Sequence, residues 1–222
     1  MATYIVLIGP PGSGKGTQAK HLQDELGIPH ISSGDLFRAM KEADTPLARE
    51  IRDIIAKGEL VPDEITVKMV AERLREDDCQ EKGAILDGFP RTVPQAEALD
   101  DLLDDIGMRV SVVLLLSITE DEAVRRISGR RVCPVCERVY HVEFNPPQEP
   151  GRCDDDGAEL IQREDDRPEV VRERFRQYQK KTAPLVDYYR GKGMLTEVDA
   201  MQPIDAITPL LIDIVEPHAA SN

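Results

Sequence analysis

No apolar run in the 222-residue sequence approaches the roughly eighteen residues that a membrane-spanning helix requires. The opening residues Met1-Ala2-Thr3-Tyr4 lead straight into an apolar stretch, without the basic segment and small-residue cleavage site of a secretory signal. A cytoplasmic location with no membrane attachment is therefore expected. Positive charge is also scarce: 28 Lys and Arg stand against 42 Asp and Glu, and the formal net charge is -14. Such a field repels a phosphate backbone and argues against a DNA- or RNA-binding module. Any anionic ligand must meet a local basic site. Internal repeats and low-complexity tails are lacking too.

What is present fits one main hydrophobic core with room for an insertion, since 41% of residues are hydrophobic and 32% charged. Tyr4 to Ile8 reads as a buried strand ended by Gly9-Pro10-Pro11-Gly12, and Lys15 to Leu26 as a helix closed by Gly27. Further buried strands are expected at Ala84 to Leu86, Val110 to Leu116 and Met194 to Val198. They alternate with helical stretches at Asp63 to Arg75 and Thr119 to Ser128. That alternation argues for a parallel α/β sheet. From about Gly129 to Asp166 the chain turns rich in Pro, Gly, Cys and charge, with a strand-like piece at Arg138 to Phe144, and reads as an inserted subdomain. Pro168 to Tyr189 then reads as one long helix with proline in its first turn. The acidic run Asp100, Asp101, Asp104 and Asp105 reads as solvent-facing helix surface without chemistry.

The strongest chemical signal is Gly9-Pro10-Pro11-Gly12-Ser13-Gly14-Lys15-Gly16-Thr17, between the first strand and the first helix. Glycines allow consecutive backbone N–H groups to curl around phosphate oxygens, the helix N-terminus favours an anion, and Lys15 offers a mobile charge to the β- and γ-phosphates. The bland reading, a glycine-rich turn with an exposed lysine, is weakened by this strand, loop and helix context. The Mg²⁺-reaching hydroxyl is displaced by one position, because Gly16 follows the lysine and Thr17 comes next. This variant resembles the nucleoside monophosphate kinases. A GTPase is excluded, because the only asparagines are Asn145 and Asn222 and its Asn-Lys-x-Asp motif cannot occur.

Further motifs in order make the chain similar to adenylate kinases of the long-lid bacterial type, from Tyr4 to about Val215. Ile31-Ser32-Ser33-Gly34-Asp35-Leu36-Phe37-Arg38 resembles the segment that opens the family's AMP-binding subdomain, with Ser33 in place of the commoner threonine. The resemblance implies that Ser33 and Arg38 contact AMP and that Glu59, Leu60 and Val61 lie against its adenosine. Asp87-Gly88-Phe89-Pro90-Arg91-Thr92, followed by Gln95, matches another family segment at the end of an expected strand, where α/β proteins bind ligands. Alone it could be a mere turn. Asp87 resembles the carboxylate that holds Mg²⁺ waters, Arg91 can pair bidentately with the AMP phosphate, and Gln95 can read adenine. Arg126, Arg130, Arg163 and Arg174 fall on the family's phosphate-clamping positions, whereas Arg125, Arg131 and Arg172 read as structural or solvent-facing. Arg138, Val139, Tyr140 and Gln202 match less specific positions on the ATP side.

The resemblance implies a P-loop three-layer αβα fold with a central five-stranded parallel sheet, a helical AMP-binding insertion and a small β-rich lid. Its expected division is core 1–31, AMP-binding subdomain 32–61, core 62–128, lid 129–166 and core 167–222. The implied activity is ATP + AMP = 2 ADP with Mg²⁺, by in-line transfer without a covalent enzyme intermediate, in a monomer. Two rivals are a UMP/CMP kinase of the same fold and a zinc-containing nucleotide-binding switch.

Cys133-Pro134-Val135-Cys136 and Cys153-Asp154-Asp155-Asp156 add two chelating loops at a spacing suited to tetrahedral zinc. Three thiolates need a fourth ligand. Relatives often carry a fourth cysteine where this chain has Asp156, and aspartate is an acceptable donor, so Asp156 is expected, with His141 as the alternative. Zinc would be structural, because a lid of about forty residues has little core. A disulfide is disfavoured in a reducing cytoplasm. Cys79 reads as an ordinary thiol.

Overall fold

Every side chain from Thr3 to Ile8 is buried, and successive side chains of a strand point to opposite faces, so β1 (Thr3–Ile8) must be covered on both sides. In the computed structural model, which describes residues 2–39 and 45–220, it is the central strand of a five-stranded parallel sheet. The order is β2 (His30–Ser32), β3 (Gly83–Asp87), β1, β4 (Val110–Ser117), β7 (Leu195–Asp199). Tyr4, Val6 and Ile8 join one core with Leu86, Val113 and Leu115, covered by Leu99 and Leu103 of α6 (Val93–Asp104) and Leu185 and Tyr189 of α9 (Pro184–Gly191). Ile5 and Leu7 join the other with Ile85, Leu114 and Val198. It is covered by Ala19 and Leu22 of α1 (Lys15–Leu26) and Leu211 and Val215 of α10 (Ile204–Ala220). The result is the expected three layers. β1 lies where the strand order reverses, with β3 on one side and β4 on the other, which is where open α/β sheets open a ligand crevice.

Between β2 and β3 run α2 (Ser33–Ala39), α3 (Pro46–Ala56), α4 (Asp63–Leu74) and α5 (Asp77–Lys82). Phe37, Ile51 and Val61 form a separate small core there with Ile54, Ile55, Ile65 and Met69. The expected ranges 1–31, 32–61 and 167–222 include residues 1, 40–44 and 221–222, which lie outside the described residues.

The inserted segment follows α7 (Glu120–Ser128), whose N-cap Thr119 accepts from Glu122 N–H. It holds the antiparallel pair β5 (Arg130–Val132) and β6 (Val139–His141), with single bridges at Val132–Ile161 and Arg152–Glu159. The strand expected over Arg138 to Phe144 is thus only three residues long.

Two expectations need correction. Pro168 to Tyr189 is not one helix: α8 (Pro168–Gln177) passes into a wide π turn, Tyr178–Thr182, before α9. Pro184 has no N–H and would clash with the carbonyl one turn back, and the turn widens so that Ala183 N–H bonds to Tyr178 O at 2.8 Å. Asp100 is not simply a solvated acid either, since it accepts from Tyr188 Oη at 2.6 Å and pairs with Lys192, tying α6 to the end of α9. No helix among the described residues is long and apolar enough to cross a membrane.

Candidate active site and metal centre

The loop after β1 owes its path to glycine. Gly12 and Gly14 have φ of 80° and 89°, a region costly for residues with a Cβ. At Gly12 a Cβ would also lie 3.0 Å from Ala123 O and 3.1 Å from Ile127 Cγ1, so the loop rests on α7. Lys15 opens α1 and folds back over the loop, with Nζ donating to Gly9 O at 2.8 Å, Pro10 O at 2.9 Å and Ser13 Oγ at 3.4 Å. Burial, followed by Arg91, Arg174 and Arg130, pushes its pKa down to about 8 against the pull of Asp87. Gly16 and Thr17 are exposed on the first turn, where a helix favours an anion.

Parallel register delivers the carboxylate. Asp87 ends β3 beside Leu7 on one side and Ser32 on the other. A Cβ on Gly16 would lie 3.3 Å from Asp87 Oδ2, so the phosphate loop and this carboxylate adjoin. Burial alone would raise the Asp87 pKa, but His30, Lys15 and Arg91 together hold it below the usual carboxylate range. His30 Nε2 stands 3.5 Å from Asp87 Oδ2. Sequence reasoning missed His30, because nothing local marks a histidine whose partner is brought up by strand pairing.

On the other side, Ser33 Oγ and Arg91 Nε both donate to Gly88 O at 2.7 Å. Burial and the neighbouring Arg174 push Arg91 down to about 10. Phe89 and Pro90, joined by a cis peptide, are buried beneath. A Cβ at Gly88, whose φ is 76°, would sit 2.7 Å from Ser33 Oγ and 2.8 Å from an Arg91 guanidinium nitrogen. On the AMP-binding role that the resemblance implies for Ser33 and Arg91, Gly88→Ala is expected to raise the KM for AMP about tenfold or more, with a smaller change in kcat. Steady-state kinetics with the acceptor varied would check it, and an unchanged KM would contradict the placement.

Arg38 pairs with Asp35 (Nε to Oδ1, 3.1 Å), Glu59 is exposed, Leu60 is half-buried, and Val61 is buried in the small helical core. Gln95 is 1% exposed, with one bond made at each end of its side-chain amide.

The arginines converge from the far side. Arg130 Nε donates to Asp166 Oδ2 at 2.9 Å, and the Asp166 side chain is wholly buried. Arg174 donates to Asp165 Oδ2 at 2.9 Å and to its carbonyl at 3.1 Å. Burial pushes Arg163 down to about 10, helped by Arg38 and Arg130, and lowers Arg174 as well. At Arg130 burial lowers the pKa, but Asp166, Asp165 and Asp35 together outweigh it and the pKa rises. Lys15, Asp87, Arg91, Arg130 and Arg174 are close enough to shift Lys15 together. Arg126 is held instead by Glu122, one turn back on α7, at 2.7 Å. Asp165 and Asp166, missed from sequence, are the seats of this cluster. Arg125 pairs with Glu143, Arg131 donates to Ser128 O and Arg130 O, and Arg172 pairs with Glu120, as structural residues would. Val139 and Gln202 are exposed. Tyr140 is buried in the inserted segment, its hydroxyl accepting from Asp154 N–H at 2.8 Å, so it can offer a nucleotide only its backbone.

Within that segment, Cys133, Cys136, Cys153 and Asp156 present ligand atoms that all lie within 4.8 Å of one another. Cys136 Sγ and Cys153 Sγ are 3.5 Å apart, and Cys133 Sγ is 3.2 Å from Asp156 Oδ2. Tetrahedral zinc with bonds of about 2.0–2.3 Å needs edges of roughly 3.3–3.8 Å; these separations bracket that range to within about 1 Å, and three thiols with one carboxylate are donor types that zinc takes. Val135 N–H and Cys136 N–H point at Cys133 Sγ from 3.3 and 3.5 Å, donors that suit a thiolate. His141 is not part of the set: its Nδ1 accepts from Glu143 N–H and Phe144 N–H at 3.0 and 3.1 Å, and its ring faces Gly129. Cys79 lies elsewhere, buried beside Arg73.

A family model described as adenylate kinase matches residues 7–194. An adenylate kinase of Salinispora tropica is 50% identical over 215 residues, covering 97% of this chain and 99% of the relative. One of Bacillus subtilis is 50% identical over 203 residues, 91% of this chain and 93% of the relative. One of Archaeoglobus fulgidus is 47% identical over 212 residues, 96% and 97% of the two.

Proposed function

This chain belongs to the adenylate kinase family, and from that premise we propose how its residues divide the reversible transfer ATP + AMP = 2 ADP that keeps adenine nucleotides in balance. Residues 9–17 wrap the ATP triphosphate, Gly12, Ser13, Gly14, Gly16 and Thr17 through backbone and hydroxyl donors and Lys15 through charge. Val139, Tyr140 and Gln202 line the ATP side. Ser33, Arg38, Glu59, Leu60, Val61, Gly88, Phe89, Pro90, Arg91 and Gln95 receive AMP. Arg126, Arg130, Arg163 and Arg174 stabilise the phosphoryl group in flight, with an AMP oxygen attacking in line. No side chain need act as nucleophile, because positioning and charge neutralisation supply most of the catalysis. Mg²⁺ arriving with ATP would be held through Asp87 and Thr17 and would neutralise charge on the phosphates. Subdomain 32–61 and lid 129–166 close over the substrates and exclude water that would hydrolyse ATP. The lid carries structural zinc on Cys133, Cys136, Cys153 and Asp156. The protein works as a cytoplasmic monomer.

One observation carries this reading: Lys15, Asp87 and Arg91 converge where β1 and β3 end. A coupled assay of ATP against AMP, UMP, CMP and GMP tests it. Rapid ADP formation with AMP alone is expected, and preferred turnover of UMP or CMP, or tight nucleotide binding without turnover, would replace it with one of the two rivals.

A proton balance follows from the depressed Lys15. With its pKa at about 8, the amine is largely charged at pH 7 and increasingly neutral above pH 8. A triphosphate favours the charged form, so ATP binding should take up little proton near pH 7 and most of one near about pH 9, while affinity weakens with rising pH. Calorimetry in two buffers of different ionisation enthalpy measures this directly. Proton release, or a flat profile, would contradict it.

A further inference from the structure

Gln95 lies in the first turn of α6 with both ends of its amide taken. Its Oε1 accepts from Arg91 N–H at 2.7 Å, and its Nε2 donates to Asp63 Oδ1 at 2.7 Å. Thr92 Oγ1 donates to Asp63 Oδ2 at 2.9 Å, so the carboxylate is itself held. A primary amide has two N–H groups and two lone pairs, which leaves one of each unspent in a residue that is 1% exposed.

The two ends of an amide have nearly the same shape and opposite polarity. As it stands, Gln95 offers a donor beside an acceptor, which complements the N1 acceptor and N6 amino donor of adenine. Hypoxanthine and guanine present N1–H and O6, the reverse order, and would need the amide turned over. Turning it over would set the NH₂ against Arg91 N–H and the carbonyl against a carboxylate that can only accept, losing two hydrogen bonds in a buried place.

We propose that Asp63, at the start of α4, is a specificity-determining positioning residue: it fixes which way round the Gln95 amide faces, and thereby selects the adenine edge over the hypoxanthine or guanine edge in the acceptor nucleotide. The inference rests on the reading that Gln95 meets the acceptor base. Asp63 touches no reacting atom and acts only through Gln95.

The test is kcat/KM for AMP and for IMP, which differ at that edge alone, in wild type, Asp63→Asn, Asp63→Ser and Gln95→Leu. Asparagine or serine at 63 can donate as well as accept, so the amide is free to turn. The AMP/IMP ratio should fall about fivefold or more in both, mainly through opposite changes in KM. A purely structural role would lower both nucleotides together and leave the ratio intact, which would overturn the inference. Gln95→Leu separates the two layers. If it too leaves the ratio unchanged, Gln95 does not read the base. If it collapses the ratio while both Asp63 variants keep it, base reading stands and only the orienting role of Asp63 fails.

Discussion

Lys15→Met is expected to lower kcat by about 10²–10³-fold while leaving the melting temperature within a few degrees of wild type. The hydrogen bonds of the amine go to the carbonyls and hydroxyl of its own loop. Burial and three arginines hold its pKa at about 8, so keeping a cation there costs the fold free energy. Methionine matches the length, removes that repulsion and cannot follow charge moving onto the transferred phosphate. Single-turnover kinetics alongside a thermal melt would decide the matter. Turnover within a few-fold of wild type would refute the placement of ATP, and a collapse of the melt would mean that the lysine is structural after all.

Cys133→Ser is expected to release most of one equivalent of zinc and to lower the melting of residues 129–166 by on the order of 10 °C, with a smaller effect on kcat at low temperature. Apolar burial cannot hold this segment together, since its buried cluster is Cys133, Tyr140 and Cys153 with only Ala158 and Leu160 packed against it. Two of those three, Cys133 and Cys153, belong to the proposed donor set. A structural zinc can supply on the order of 10 kcal/mol to such a unit, so loss of one thiolate should be felt there and little in the sheet. Elemental analysis combined with limited proteolysis across a temperature series reads both effects. His141→Ala serves as comparator and should keep its full metal content, because the imidazole serves the turn to Phe144 and stacks on that ring at 4.4 Å. Unchanged metal in Cys133→Ser would reject the ligand set.

What could be read from the sequence was what is contiguous. Gly9 to Thr17 announces its own turn chemistry, and the Cys-x-x-Cys pair announces chelation, because each needs only neighbours in the chain. The four long strands were legible from their buried runs to within a residue or two at each end. The order of those strands was not, since nothing in His30-Ile31-Ser32 says that so short a strand pairs with β3 and sets His30 against Asp87. Asp63 and Gln95 are 32 residues apart and meet only once α4 packs beside α6. The helix through Pro184 was misread because amphipathic spacing runs on across Tyr178–Thr182, and spacing alone does not register a change of hydrogen-bond ladder. Nothing local in the sequence marks Asp165 and Asp166, because their partners come from other elements of the fold.

Those two aspartates give the site a resting state. Arg174 and Arg130 each already hold a carboxylate, so on the clamping role proposed for them an arriving phosphate replaces one oxyanion by another. The same exchange runs backwards on departure. On that same proposed role, the carboxylates would reclaim their cations as ADP loosens, and the chain itself would compete with its product for the clamp, favouring release.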